Sequence, residues 1–370
     1  MSADPARPLF PDIDTPALML DQDALRRNID AMQARANEAG LALRPHAKAH
    51  KCLEVGRMQR DAGAVGLCCA KLGEAEVMAA GGLDDLLVTT PVAGCLKIGR
   101  LIELARRARV RVVADDAANL AELDAATRAA GVTLGIVIEV DVGQGRCGVP
   151  PGPRAAELAR RVLQARGLRF EGVQGYQGSL QCVPDYAARE AQVARAMDAL
   201  ERSLAALREA GIDVPTITGG GTGSFPIDAR LRRLTEVQPG SYVTMDAAYM
   251  AVRWPGGAPM PLARPLSILA SVVSRPSRGK AIVDVGWKSA NGDGAPPRCK
   301  DRPDLAFEFA GDEHGALVAA SGEIDLRPGD RIELVPGHCD TTVNLYDRFV
   351  VHAHGLVQAC WPIAARGKSH

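Results

Sequence analysis

Lys48 sits in the run RPHAKAHK and is one of only eight lysines among the 44 basic residues of this 370-residue chain. An amine held away from water can act as a nucleophile and form a Schiff base with a carbonyl compound. His46 and His50 stand two residues to either side. In an extended segment all three side chains share one face, although His50 and Lys51 could equally be solvated loop residues. The plain alternative is a solvated lysine in a polar loop, the usual place for this residue. Two glycine-rich runs suggest a second kind of chemistry. TITGGGTGSF carries Gly219, Gly220, Gly221 and Thr222, and EVQPGSY carries Gly240, Ser241 and Tyr242. Glycines let backbone N–H groups close on an anion, and the hydroxyls of Thr222, Ser241 and Tyr242 add donors. Either run alone could be no more than a turn. Arg146 in EVDVGQGRCGV follows two glycines and suits a phenolate or carboxylate. Tyr176 in GYQGSLQ offers a ring for stacking. Each could equally be an ordinary loop or packing residue. A nucleophilic lysine, an anion cup, an arginine and a stacking ring together match the needs of pyridoxal phosphate (PLP).

A separate cluster lies in PGHCDTTVN. In an extended segment His338 and Asp340 point to one face and Cys339 to the other. An imidazole and a carboxylate suit a divalent metal whose remaining positions are filled by water or substrate. The competing reading is a turn in which Asp340 caps and His338 packs. Glu313 and His314 in GDEHG form a turn with potential acid–base use, and His352 and His354 read as alternate positions of a surface strand.

The elements that must position these residues follow from periodicity. Short apolar runs recur through the first two-thirds of the chain: LALRPHA, VGLCCA, DLLVTT, RVRVVAD, LGIVIEV, FEGVQGY, TITGGG and EVQPGSY. Helical stretches rich in Ala, Arg, Leu and Glu separate them, and two of these, DALRRNIDAMQARANEAG and DYAAREAQVARAMDALERSLAALREAG, end in glycine, a helix stop. Eight alternating units predict an α/β fold, a closed (β/α)8 TIM barrel with its active face at the C-terminal strand ends. An open doubly wound sheet is the weaker alternative, because no G-x-G-x-x-G follows the first strand. Lys48, Arg146, Tyr176 and both glycine-rich runs all fall at strand ends. After Pro255 the texture changes to short β-rich runs between Gly, Pro and Asp turns, which predicts an all-β domain. The expected division is a barrel over residues 22–250 and a β domain built from 1–21 with 251–370. The run TPALMLD would supply a strand to the latter, and RWPGGAPMPLARP forms the boundary.

Composition bounds the partners. Lys+Arg and Asp+Glu are both 44, so the net charge is zero and neither nucleic acid nor an anionic membrane surface is indicated. No apolar run reaches the roughly 18–20 residues needed to span a bilayer. The first residues, MSADPARPLFPDIDTP, contain no apolar signal core, so a cytoplasmic location is expected. Nine scattered cysteines without a Cys-x-x-Cys indicate neither a zinc knuckle nor a disulfide framework.

In order along the chain, RPHAKAHK, VGLCCAKLGEAEV, EVDVGQGRCGV, TITGGGTGSF, EVQPGSY, AIVDVGWK, DEHG and PGHCDTTVN resemble the D-threonine aldolase and D-serine dehydratase family, a branch of the fold-type III PLP enzymes related to alanine racemase. The resemblance runs from about Asp14 to Gln358. It implies an alanine-racemase-like barrel followed by a β domain, in a homodimer. It implies Lys48 as the PLP lysine, Arg146 near the phenolic oxygen of the cofactor and Tyr176 against its ring. It implies Gly219 to Thr222 with Gly240 to Tyr242 as the phosphate loops, and His338 as a metal ligand. Dehydratase members carry His-x-Cys with zinc, whereas the aldolases carry His-x-Asp. Asp340 therefore follows the aldolase pattern and prefers a harder ion, manganese or magnesium, to zinc. Thr341 departs from a proline common in the aldolases. The implied reaction is metal-assisted retro-aldol cleavage of a D-3-hydroxy amino acid such as D-threonine to glycine and an aldehyde, with a metal-bound hydroxide or His50 as base. A dehydratase acting on D-3-hydroxy amino acids is the alternative. A non-catalytic PLP carrier fits less well because it needs no metal, and a racemase would need a second base.

Overall fold

The computed structural model describes residues 10–370. The first nine residues of the segment assigned above to the β domain, and with them most of the stretch read for a signal peptide, lie outside the described residues. Strand β1 (Ala17–Asp21) leads directly into helix α1 (Gln22–Ala39). Asp21 caps that helix by accepting from the Ala24 N–H at 2.9 Å, and Gly40 ends it in the left-handed region at φ 69°. The eight apolar runs then become strands β2 (Ala42–Leu43), β3 (Leu67–Cys69), β4 (Asp85–Val88), β5 (Arg109–Ala114), β6 (Leu134–Glu139), β7 (Leu168–Gly175), β8 (Thr216–Gly219) and β9 (Glu236–Val237). Between them run α2 (Leu53–Asp61), α3 (Leu72–Ala80), α4 (Cys95–Ala105), α5 (Ala117–Ala130), α6 (Pro153–Gln164), α7 (Tyr186–Glu209) and α8 (Phe225–Leu231). All pairings are parallel, in the order β2-β9-β8-β7-β6-β5-β4-β3. The sheet closes where Val65 N–H donates to Leu43 O (2.9 Å), Cys68 N–H donates to Pro45 O (2.8 Å), and His46 bridges Cys68. Helix α1 packs against both α2 and α8 and completes the outer ring.

The barrel interior is more polar than the aliphatic layers usual for this architecture. Its apolar part is Cys68, Leu87, Val113 and Val137. Beside them a buried chain of hydrogen bonds runs from Gln238 to Gln174 and Thr218, from Thr218 to Glu236, and from Glu236 through Arg44 to Asp85 and Arg111. Each charge in that chain faces an opposite one, which such deep burial requires.

After helix α9 (Ala247–Met250) the chain forms β10 (Leu266–Ser277), β11 (Lys280–Val283), β12 (Arg298–Cys299), β13 (Leu305–Phe309), β14 (Gly315–Ala319) and β15 (Arg331–Val335). Helix α10 (Cys339–Val343) and strands β16 (Arg348–Ala353) and β17 (Leu356–Pro362) follow. The order β11-β14-β13-β12-β15-β10 closes on itself through a β10–β11 pairing, and β1, β16 and β17 extend it from β10. As expected, TPALMLD supplies a strand to this sheet. The segment carrying His352 and His354, expected to be one surface strand, is a hairpin that turns at His354 and Gly355. His352 is buried rather than on the surface, and β12 was too short to be signalled.

Candidate active site

The C-terminal strand ends of the barrel and the 291–298 and 338–340 segments of the β unit enclose a cavity of about 520 Å³. Lys48 enters it from a single 3-10 turn, Ala47–Ala49. That turn overturns the extended reading of the segment, so the two histidines do not share the face of the lysine. His46 reaches the cavity wall. Its Nδ1 accepts from the Lys48 N–H at 3.4 Å and its Nε2 lies 3.1 Å from Thr89 Oγ1, which assigns the proton to Nε2. His50 does not line the cavity. It is fully buried, its Nδ1 accepts from the Cys52 N–H at 3.1 Å, and burial lowers its pKa to about 4. His50 is therefore corrected from candidate base to core residue, because the helical turn rotates it away from Lys48.

The loop carrying Arg146 is pinned by Asp141, whose Oδ1 accepts from Gly143 N–H (2.9 Å) and Gly145 N–H (3.0 Å). The Arg146 guanidinium lies 5.9 Å from the Tyr176 ring centre, and both line the cavity. Gln144 ties the two loops by accepting from Gly178 N–H at 2.6 Å.

Of the two glycine-rich runs, Gly221, Thr222, Gly240 and Ser241 reach the cavity, whereas Gly219, Gly220 and Tyr242 do not. The Tyr242 side chain is a core residue whose hydroxyl accepts from Gln59 Nε2 at 3.0 Å, so its expected role as an anion donor is corrected. Its backbone N–H donates to Thr222 Oγ1 (3.1 Å) and braces the two loops against each other. Gln181 Oε1 accepts from Gly223 and Ser224 N–H. A Cβ at Gly223 would stand 1.8 Å from Gln181 O, so that close approach requires glycine. Among the described residues, the N–H groups of Thr222, Gly240 and Ser241 have no acceptor. Unsatisfied donors grouped at one end of a cavity that also holds a lysine fit a phosphate-bearing carbonyl cofactor.

His338 precedes α10 and Asp340 lies in its first turn, so this segment too is helical rather than extended. Both side chains still face the cavity. Asp340 Oδ2 is 3.5 Å from Lys48 Nζ, and its Oδ1 is 3.3 Å from Ser241 Oγ. Burial raises the Asp340 pKa, but the charge of Lys48 and that of His338 outweigh it and hold the carboxyl below its ordinary value. Burial lowers the Lys48 pKa, yet Asp340 leaves it raised overall. His338 Nδ1 lies 3.2 Å from Asp246 Oδ2, which also accepts from Cys339 N–H at 2.9 Å. Thr341 sits in the first helical turn, a position that tolerates proline, so its departure from the pattern leaves the turn intact.

Asp246, His338 and Cys339 place ligand-type atoms within 4.8 Å of one another. Yet both Asp246 oxygens are engaged, Oδ1 by Tyr249 N–H at 2.9 Å and Oδ2 by the two donors above, and burial pushes the Cys339 thiol far up. Asp246 therefore orients the imidazole through Nδ1, and His338 and the Asp340 carboxylate, two residues apart on the cavity wall, are the metal-type pair left beside Lys48. This pairing fits a hard divalent ion. Asp246, Gln181 and Gln238 were not among the sequence candidates, since an acid and two glutamines in ordinary loops carry no local signal. Glu313 and His314 lie on the outside, where Glu313 pairs with Lys288 at 2.6 Å.

The paired barrel and β unit, with a lysine and an anion cup at their junction, define an alanine-racemase-like protein. Residues 20–248 match the alanine racemase N-terminal domain and residues 265–352 the serine dehydratase domain. A D-threonine aldolase of Arthrobacter sp. is 42% identical over 99% of this chain and 96% of its own length. A 3-hydroxy-D-aspartate aldolase of Paracoccus denitrificans (strain Pd 1222) is 38% identical over 97% of this chain and 94% of its own. The crystal structure of D-threonine aldolase from Filomicrobium marinum superposes with a TM-score of 0.94 at 42% identity, covering 99% of this chain and 100% of that one. The chain belongs to the D-threonine aldolase and D-serine dehydratase family of lyases. Among the described residues no helix is long and apolar enough to cross a membrane.

Proposed function

We propose that this protein is a PLP- and divalent-metal-dependent aldehyde-lyase that cleaves D-threonine and related D-3-hydroxy amino acids to glycine and an aldehyde. The observation that carries the reading is the 3.5 Å approach of Lys48 Nζ to Asp340 Oδ2. It brings the cofactor lysine of the barrel and the metal pair of the β unit to one cavity. The acid two residues after His338 is an aspartate, and the cysteine between them is a buried thiol. That chemistry favours manganese or magnesium over zinc, and the His-x-Asp pattern that the family resemblance assigns to aldolases favours the aldolase over the dehydratase.

When bound, PLP withdraws electrons from the substrate Cα and the metal lowers the pKa of the β-hydroxyl. The chain supplies the rest. Thr222, Gly240 and Ser241 would offer N–H groups to the phosphate, Lys48 would provide the amine that holds the carbonyl, and Arg146 and Tyr176 would serve the cofactor ring and its phenolic oxygen. His338 and Asp340 would hold the ion, with Asp246 keeping the imidazole in the tautomer that leaves Nε2 free. His46 is committed through both ring nitrogens and His50 is remote, so neither takes the hydroxyl proton. Lys48 Nζ, beside Asp340, is the protein amine placed to move a proton at Cα. A homodimer, a cytoplasmic location, and the division at residues 22–250 belong to the same proposal.

The test is product analysis after incubating purified protein with D-threonine, PLP and manganese. Glycine plus acetaldehyde supports the aldolase, and 2-oxobutyrate plus ammonia overturns it in favour of the dehydratase. Lys48→Ala should abolish the visible absorbance of the bound cofactor, and Asp340→Ala should retain cofactor but lose turnover.

A further inference from the structure

An amino-acid substrate brings a carboxylate into a cavity that already holds the Asp340 carboxylate, and some cation must meet it. Three permanent or near-permanent cations line the cavity: Lys48, Arg146 and Arg298. Lys48 is paired with Asp340 and Arg146 lies over Tyr176. Among the described residues the Arg298 side chain has no hydrogen bond and no carboxylate within 4.0 Å, although Asp293 lies on the same cavity wall. Its neighbours in strand and loop are not free in this way. Lys300 pairs with Glu333 at 2.9 Å, and Arg302 pairs with Asp304 at 2.7 Å and Asp325 at 2.9 Å.

The backbone holds Arg298 in register with the metal pair. Arg298 in β12 lies opposite Val335 in β15, and β15 runs on through Pro336 and Gly337 to His338. The loop before Arg298 packs hard against that turn. A Cβ at Gly337 would stand 1.9 Å from Ala295 O and 2.7 Å from Asn291 O, and Asn291 N–H donates to Thr342 Oγ1 at 3.2 Å. Arg298 therefore cannot shift independently of His338 and Asp340. It stands where the reaction cavity meets a second cleft of about 510 Å³, whose other cation without a carboxylate partner among the described residues is Arg264.

We propose that Arg298 anchors the α-carboxylate of the amino-acid substrate by a charge-assisted pair, and so sets binding for every D-3-hydroxy amino acid regardless of its β-substituent. This rests on the lyase reading above. The α-carboxylate is the anion common to all such substrates. A guanidinium carried on backbone tied to the His338 turn would meet it within reach of the same cavity wall.

The product glycine carries the α-carboxylate and no β-group, which makes it the decisive probe. Glycine and methylamine are titrated into holoenzyme while the cofactor's visible spectrum is followed, for the wild type, Arg298→Gln and Arg298→Lys. Arg298→Gln should weaken glycine binding about 10- to 100-fold, leave methylamine unchanged, and raise the KM for D-threonine far more than it lowers kcat. Arg298→Lys should recover part of the loss. Cofactor absorbance and Tm of each variant show that the site is intact. Glycine affinity within about threefold of the wild type in Arg298→Gln overturns the proposal. So does a loss confined to D-3-hydroxyaspartate, which would place Arg298, with Arg264, on a β-carboxylate. A wild type whose cofactor spectrum responds to no amine overturns the lyase reading instead.

Discussion

Asp246→Asn separates a ligand from a residue that orients a ligand. Asp246 caps α9 through Oδ1 and receives two donors at Oδ2, His338 Nδ1 at 3.2 Å and Cys339 N–H at 2.9 Å. Asparagine is as good a cap as aspartate, so the fold should survive. The amide oxygen keeps both donors only by turning its NH₂ toward the Tyr249 N–H. The opposite rotamer aims NH₂ at His338 and Cys339. Either way the imidazole loses a charged acceptor. Removing a carboxylate that orients a metal-bound histidine lowers metal affinity about 10- to 100-fold, or roughly 1.4–2.8 kcal/mol. Two effects oppose each other below neutral pH. Burial lowers the His338 pKa while Asp246 raises it above its ordinary value, so Asp246→Asn also weakens proton competition for the ring. The affinity deficit should therefore be largest above the raised His338 pKa and shrink as the pH falls through it. Manganese titration of apo-protein followed by electron paramagnetic resonance, with Tm as a control for folding, measures it. An affinity unchanged across that range would refute the orienting role. A loss beyond about 1000-fold would mean that Asp246 is itself a ligand, a share comparable to Asp340.

Two further predictions concern the supports of the site. Glu74 accepts at 2.5 Å from the buried Nζ of Lys51, three residues past Lys48, and from the Ala70 and Lys71 N–H groups at the start of its own helix. Glu74→Ala should cost about 3–5 kcal/mol in urea unfolding because it strands a buried ammonium, and adding Lys51→Met should recover part of that. A double variant no more stable than the single one would refute the pairing argument. Burial raises the Asp228 carboxyl to about 7 behind the phosphate loop, where Ser224 Oγ donates to it at 2.6 Å. Its folded pKa exceeds its unfolded one, so the native state binds the extra proton between about pH 4 and 7. The corresponding stability is complete below that window and is lost as pH rises through it. Asp228→Asn should lose less stability than the wild type between pH 4 and 8, by about 2–4 kcal/mol. Equal slopes would refute it.

Lys48, Arg146, Tyr176 and the two glycine-rich runs could be located from the sequence because each sits where a periodic apolar run stops. A parallel barrel sends all such ends to one face. What could not be read depends on local turns and distant contacts. The alternation rule assumes extended backbone, and both segments to which it was applied are helical turns. At Lys48 this misplaced His50. At His338 the two side chains still converge, because the first helical turn also presents Asp340 to the cavity. Tyr242 is adjacent to two cavity residues, yet its ring enters the core against Gln59, a contact 183 residues away in sequence. Asp246 meets His338 across 92 residues. The charges of the barrel, Arg44, Asp85, Arg111 and Glu236, look in the sequence like ordinary surface charges because their partners lie on other strands, and Arg44 meets Asp85 only when the sheet closes.

The β unit does more than deliver His338 and Asp340 to the cavity. Strand β1 pairs with both β10 and β16, then passes without a loop into α1, which closes the helical ring of the barrel. The sheet and the barrel are thus joined through one continuous rigid segment rather than only by the boundary at Pro255. A carboxylate 3.5 Å from an amine on the other unit is sensitive to displacements well under an ångström, and a linker alone could not hold it. At its near edge Asp340 touches Lys48, Ser241 and Cys339 together, so a single carboxylate couples the lysine turn of the barrel, the 240–242 loop and the 338–340 turn of the β unit. Removing it cannot act on the metal alone. Asp340→Ala should also leave the Lys48 ammonium without its anion, so its amine should titrate lower than in the wild type.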